Sequence, residues 1–196
     1  MSSISVICAY EHHPSRLPLL VYSLNTLLPQ FTSSDELCIV ETGPLKYLPK
    51  KFRPQVSNLK YLKVFTTCPF NRGWAHNVGA LHLSTKEILL FIDADLVFPP
   101  HYLERVRDVD APFVGWEEMR YLTPESTKLL LSGQNARLSF FRRTNPGLLD
   151  ASGGVLVVPR KIFLEVGGYY EKIRGWAAKI TVSGLSFAHT ATRFNI

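Results

Sequence analysis

Three short stretches of the chain, at residues 4–10, 36–41 and 88–92, are apolar at almost every consecutive position rather than at alternate ones. A strand with one face in water alternates. A strand apolar throughout must be covered on both faces, which confines the chain to a sheet sandwiched between helices. Helical stripes fall between these runs. Over residues 15–31, Leu17, Leu20, Val21, Leu24, Leu27 and Leu28 recur at three- and four-residue spacing, and Pro29 ends or bends the helix. Trp74, Val78, Leu81 and Leu83 mark a second helix over residues 71–84, and residues 59–66 read as a further strand. A last helix is expected over residues 100–109, with proline near its start, where the missing N–H costs nothing. The order βαββαβα predicts an α/β fold with a mostly parallel sheet and helices on both faces.

Ligands of such sheets bind at the carboxyl ends of the strands. Tyr10-Glu11, Glu41-Thr42-Gly43 and Asp93-Ala94-Asp95 all stand at such ends, so three polar clusters are expected along one edge.

Beyond this unit the pattern is less regular. Phe113-Val114-Gly115-Trp116 reads as a strand and residues 123–141 as a helical excursion over the site. Residues 152–159 form a glycine-led strand, followed by a helix through Ile162, Phe163 and Val166 that stops at Gly167-Gly168.

A chain of 196 residues can bury one substantial core, and 46% apolar with 19% charged residues excludes a disordered chain. Cys8, Cys38 and Cys68 leave one thiol unpaired however they combine, and two of them lie in the apolar runs. They are read as free thiols of a reducing compartment. The first residues lack a leader pattern, and no run approaches the roughly 18 apolar residues of a membrane span. The expected location is therefore cytoplasmic. A net charge of +6 suits nucleic acid, an anionic membrane surface or a phosphate-bearing substrate. No basic helix or interleaved aromatic platform supports nucleic acid; peripheral membrane association stays open, and no feature encodes an oligomeric state. Lys46, Lys50, Lys51, Arg53, Lys60 and Lys63 read as a solvated loop face.

Two aspartates separated by one residue, just past a buried strand, can offer one carboxylate to a divalent ion and the other to a ribose hydroxyl or a metal-bound water. Oxygen ligands suit Mg²⁺ or Mn²⁺, which usually bind through one or two carboxylates plus substrate phosphates. Taken alone, the pair could equally make a turn or cap the next helix.

Its context narrows the choice. Asn71-Arg72-Gly73-Trp74-Ala75-His76-Asn77-Val78-Gly79-Ala80 precedes the strand that ends in Asp93-Ala94-Asp95. Gly153-Gly154, Phe163-Leu164-Glu165-Val166-Gly167-Gly168-Tyr169-Tyr170-Glu171 and Gly175-Trp176 follow it. Together these blocks, spanning about residues 4–176, resemble the family 2 glycosyltransferases and their GT-A relatives, including the galactosyltransferase C-terminal-domain type. The resemblance implies a Rossmann-like GT-A domain over residues 1–178, with a nucleotide-sugar half to about residue 110 and an acceptor half from about residue 111. It implies transfer of a sugar from a nucleotide-diphosphate donor, expected to be a UDP-sugar, to a hydroxyl of a glycan or other acceptor. The reaction would be inverting and would depend on Mn²⁺ or Mg²⁺. Tyr10 and Glu41 would lie at the base and ribose, Asn77 near the sugar-nucleotide, Asp93 on nucleotide or sugar, and Asp95 on the metal, with Asp93 as its second ligand. Arg72 would contact the diphosphate or stand in solvent at a helix start. His76 occupies a place where the family often has Arg, or is a surface helix residue. Trp74 would belong to the core, Gly153 and Gly154 would admit the donor sugar or make a plain turn, and Trp176 would wall the acceptor pocket.

The pattern breaks after Gly175-Trp176-Ala177-Ala178. The family continues with a Glu-Asp pair that supplies the general base, whereas this chain has Lys179 and Ile180. An ordinary lysine is protonated at neutral pH and isoleucine accepts no proton, so the catalytic base is unassigned. Residues 179–184 can be encoded AAG-ATA-ACG-GTT-TCT-GGN, and starting one nucleotide earlier, on a G ending the Ala178 codon, the neighbouring frame reads Glu-Asp-Asn-Gly-Phe-Trp. The 179–196 tail is therefore expected to be either a frameshifted readout, leaving the fold truncated at its C-terminal end, or a divergent C-terminus. His189 does not stand in for the family's C-terminal histidine ligand, because its surroundings differ. Two other readings remain: a non-catalytic nucleotide-sugar binder that has lost its base, and a nucleotidyltransferase. The second would call for a glycine-rich basic loop after strand one, and Glu11-His12-His13-Pro14-Ser15-Arg16 has no glycine.

Overall fold

Strand β1 (Ile4–Glu11) is buried along its whole length but for its last residue, as its unbroken apolar run requires. Its side chains divide between two layers. Ile4, Val6, Cys8 and Tyr10 point into one core, with Leu20, Leu24 and Leu27 of helix α1 (Leu17–Leu27) and with Leu37 and Ile39 of strand β2 (Glu36–Gly43). Ile7 and Ala9 point the other way. Each fully buried leucine in that first layer is worth about 1.5–3 kcal/mol relative to exposure.

In this computed structural model the described residues are 2–44, 48–49, 57–115, 119–134, 139–143 and 154–172. After β2 come strand β3 (Leu59–Phe65), helix α2 (Arg72–Val78), strand β4 (Ile88–Ile92) and the short helix α3 (Tyr102–Arg105). The expected βαββαβα order is present, with α3 shorter than the predicted 100–109. Pro29 does end α1, which tightens into a 3₁₀ turn at Leu28–Gln30. Helix α2 likewise passes into a single π turn at Gly79–Leu83.

The main sheet runs β3-β2-β1-β4-β8-β5, where β5 is Phe113–Val114 and β8 is Val155–Pro159. Strands β3, β2, β1 and β4 are parallel, with Tyr10 opposite Glu41 and Cys8 opposite Ile92. Strand β8 is antiparallel to β4 and β5 antiparallel to β8. The chain moves outward from β1 through β2 to β3, then returns to place β4 on the other flank of β1. That reversal opens the crevice at the carboxyl ends of β1 and β4 where doubly wound sheets take their ligands.

The π turn that continues α2 lies close on the sheet because of Gly79. A β-carbon there would sit 2.5 Å from Cγ2 of Ile7. Helix α5 (Arg160–Glu165) covers the same face, where Phe91, Phe163 and Tyr169 pack together. The predicted helical excursion over 123–141 is only partly helical. Helix α4 (Pro124–Leu131) is flanked by a two-stranded ribbon of β6 (Met119–Leu122) and β7 (Phe140–Arg143). Thr123 caps α4 by accepting from the Ser126 amide, which fixes where the helix begins.

Two buried carboxylates hold the amino edge of the sheet. Asp35 receives both Nη atoms of Arg107 at 2.7 and 2.5 Å, together with the amides of Ile4 and Thr32. Glu36 accepts from Ser5 and Thr85 and pairs with Lys60 at 2.8 Å. Cys8 and Cys38 are buried, Cys68 is exposed, and all three are free thiols. No helix among the described residues is long and apolar enough to cross a membrane.

Candidate active site

Strand β4 ends at Ile92, and the next amide, Asp93 N–H, donates to the carbonyl of Gly154 across the antiparallel β4–β8 pair at 2.9 Å. Gly154 adopts φ of 90°, a conformation in which side chains are strained, so glycine suits the point where β8 meets the site. This pairing fixes the Asp93 backbone at the switch point. The Asp93 carboxylate then meets Arg72, with Nε and Oδ1 2.6 Å apart. Arg72 is 4% exposed, so it is not the solvent-facing helix-start residue that the sequence left open. The contact is an ion pair between a nearly buried guanidinium and a carboxylate that keeps some exposure. Burial pushes the Asp93 carboxyl above the usual range; Arg72 pulls it down and the neighbouring Asp95 pushes it up again.

Asp95 follows in a turn and is exposed, without a partner among the described residues. Neither aspartate caps α3, whose N-terminal flank is His101, so the helix-cap reading of the pair does not hold. No group of three or more metal-ligating side chains occurs among the described residues. The donor set that is present, one free carboxylate and one paired to a guanidinium, is all hard oxygen. It fits a Mg²⁺ or Mn²⁺ ion that takes most of its ligands from a diphosphate and water, as these ions commonly do.

Tyr10 and Glu41 reach the expected edge as register partners, but both side chains are enclosed. Tyr10 packs in the first core layer with its hydroxyl 3.3 Å from His12 Nδ1, and burial pushes the phenol up to about 12. Glu41 is fully buried. Its carboxylate accepts from the Leu48 amide at 2.5 Å and the Tyr61 hydroxyl and pairs with Lys63 at 3.4 Å. Lys63 therefore leaves the solvated face assigned to it, while Lys60 stays about one-third exposed; the charge of each answers a buried carboxylate, Glu41 and Glu36 respectively.

Asn77 is 4% exposed and both ends of its amide are engaged. Nδ2 donates to the Tyr169 carbonyl at 2.9 Å and to Glu171 Oε1 at 2.8 Å, while Oδ1 accepts from the Tyr169 amide at 2.8 Å. His76 is no surface residue. It is fully buried between Phe91 and Tyr169, and burial, with the Arg72 charge, holds its imidazole well below the usual range.

Trp74 is half-buried on a cleft of about 400 Å³, not in the core as its place in the helical stripe suggested. Thr42, Phe70 and Asn71 line the same cleft, closed on the other side by Glu171 and Lys172. The cleft is not legible in the sequence because its walls come from segments about a hundred residues apart; Phe70 in the β3–α2 connection and Trp74 in α2 are its one trace there. Gly153, Trp176, Lys179 and Ile180 lie outside the described residues.

The architecture is that of GT-A glycosyltransferases. Solved structures with this fold include a Drosophila β1,4-galactosyltransferase 7 mutant in complex with manganese, UDP-Gal and xylobiose, at 14% identity and a TM-score of 0.52 over 90% of this chain and 57% of that one. A Pyrobaculum calidifontis mannosyltransferase with GDP-Man and Mn²⁺ matches at 12% identity and 0.54, covering 88% and 48%. Staphylococcus aureus TarS matches at 16% and 0.55, covering 88% and 52%. The chain thus spans roughly half the length of these structures. A comparison with curated protein sequences returns no match. The model of Glycosyl transferase family 2 matches residues 5–109, which is 105 of the 196 residues and more than half of the chain. The protein belongs to glycosyl transferase family 2.

Proposed function

We propose that this domain binds a nucleotide-diphosphate sugar, a UDP-sugar in the first instance, at the carboxyl edge of β1 and β4, in support of metal-dependent, inverting transfer to a hydroxyl acceptor. The observation that carries this reading is the Arg72–Asp93 pair at the switch point, with the free carboxylate of Asp95 two residues on. A guanidinium matches the geometry and charge of phosphate, and the two carboxylates match a hard divalent ion, so one diphosphate can satisfy both. A bound Mn²⁺ or Mg²⁺ would neutralise charge developing on the leaving diphosphate, and Asp95, with Asp93, would hold it. Arg72 would orient the phosphates, and the flat faces of Trp74 and Phe70 would support the nucleoside in the adjoining cleft. Tyr10 and Glu41 would act behind the cleft, by holding its floor rather than by touching the base.

A second reading is favoured by one feature of the sequence. With Lys179 and Ile180 at the family's base position, the chain would bind donor without transferring it. Calorimetric titration with UDP, and with GDP for comparison, in the presence and absence of Mn²⁺ tests donor binding. A metal-dependent heat that disappears in Asp95→Ala supports the site; no such heat, or an unchanged one in the variant, sinks it. Hydrolysis of the UDP-sugar, which needs no acceptor, then separates an enzyme from a binder. Sequencing the DNA around the Ala178 codon decides whether the tail is a shifted reading frame.

A further inference from the structure

The cleft has two walls that share no secondary structure. One is the start of α2, with Asn71 and Trp74; the other is the segment after the Gly167-Gly168 turn, ending in Glu171 and Lys172. Four hydrogen bonds join them. Three use the Asn77 amide, and the fourth runs from Asn71 Nδ2 to the Glu171 carbonyl at 2.7 Å. The backbone is shaped to receive the latch. Gly168 has φ of 76°, and a β-carbon there would lie 2.6 Å from Asn77 Oδ1. Gly73 likewise brings the helix to 3.2 Å from Tyr169 Cβ as measured from an added β-carbon.

We infer that Asn77 is a positioning residue: it latches segment 168–172 to helix α2 and so sets the width of the cleft that receives the nucleoside. The inference rests on the donor-binding reading above. Asparagine is suited to the place because one side chain must donate to a carbonyl and a carboxylate and accept from an amide at once. Aspartate can only accept, and alanine can do neither. The same latch fixes where the chain stands as far as Lys172.

The test reads the latch and the ligand separately. Amide hydrogen exchange at Tyr169 is followed in wild type, Asn77→Ala, Asn77→Asp and the double variant Asn77→Asp/Glu171→Gln, with Val6 and Leu90 in the sheet centre as internal references. UDP affinity is measured on the same proteins with Mn²⁺. Asn77→Ala is expected to speed exchange at Tyr169 at least tenfold with the references unchanged, and to weaken UDP about tenfold. Asn77→Asp places two carboxylates together and is expected to lose as much. Glu171→Gln in that background restores a donor opposite the carboxylate introduced at position 77 and is expected to recover part of both losses, the Tyr169 carbonyl still lacking its donor; a general packing defect would recover none. Exchange at Tyr169 that stays slow in Asn77→Ala, or rises only in step with Val6 and Leu90, overturns the latch. So does UDP affinity within twofold of wild type while Tyr169 is released. Should wild type bind no UDP, the donor reading falls by itself, and the exchange and its rescue still decide whether Asn77 is a latch.

Discussion

Arg72, from the first turn of α2, and Asp93, from the end of β4, meet at 2.6 Å in a site where the guanidinium is nearly buried and the carboxylate is one-quarter exposed. Removing the cation strands the carboxylate. Arg72→Met is expected to destabilise the domain by about 1–3 kcal/mol, below the usual cost of breaking a fully buried pair because Asp93 keeps some water. Adding Asp93→Asn should restore most of that loss, and urea unfolding of the single and double variants measures both.

Asp95 predicts the opposite separation. An exposed carboxylate without a partner contributes little to the fold, so Asp95→Ala should leave stability within about 0.5 kcal/mol. The same change should abolish the Mn²⁺-dependent part of UDP binding. Thermal melting and calorimetry on one preparation check the two halves.

At the amino edge, hydrogen bonds from Arg107 and from the Thr32 and Ile4 amides outweigh burial and hold Asp35 below its ordinary range. A carboxyl lowered by folding stabilises fully above its unfolded value of about 3.9 and loses that contribution as the pH falls through the lower folded value. Stability should therefore drop steeply below about pH 4 in wild type and less steeply in Asp35→Asn. Arg107→Met should cost about 3–5 kcal/mol at neutral pH, the penalty of an abandoned buried charge. Urea midpoints across pH 2–7 report both.

His76 acts in a different window. Its imidazole is neutral when folded and, once unfolded, takes a proton below about pH 6.5. Stability should fall as the pH drops from about 6.5 towards 5, because the unfolded state binds a proton that the folded state refuses. Phenylalanine has no titrating group, so His76→Phe should flatten that slope. At pH 7, where the ring is mostly neutral in both states, the variant should lie within about 1 kcal/mol of wild type. Melting temperatures of the two proteins between pH 5 and 8 settle the sign.

The strands were legible because burial on both faces leaves an unbroken apolar run, and Ile88–Ile92 could hardly be anything else. The carboxyl edge followed from the parallel order, and with it the place of Asp93. What the sequence concealed depends on rotation and on distant partners. The stripe through Trp74 and Val78 locates α2 but not its phase about its own axis: Trp74 lies on the cleft rather than in the core, and His76, for which a surface place is one of two readings, packs against Phe91 and Tyr169. Nothing local reveals that the partners of Asn77 lie more than ninety residues ahead. The β6–β7 ribbon escaped notice because its strands are joined through a helix rather than by a tight turn that would have announced a hairpin.

Strand β8 has a consequence for how the chain is made. Until residues 155–159 leave the ribosome, β4 has β1 on one side and no strand on the other, and its free backbone edge carries five consecutive apolar residues. Such an edge recruits other chains. The segment that carries the family signature, ending at residue 109, thus stops short of the strand that seals it. A fragment cut there would be more prone to aggregate than one that runs through β8, and a nascent chain paused in that interval would depend on holdase chaperones.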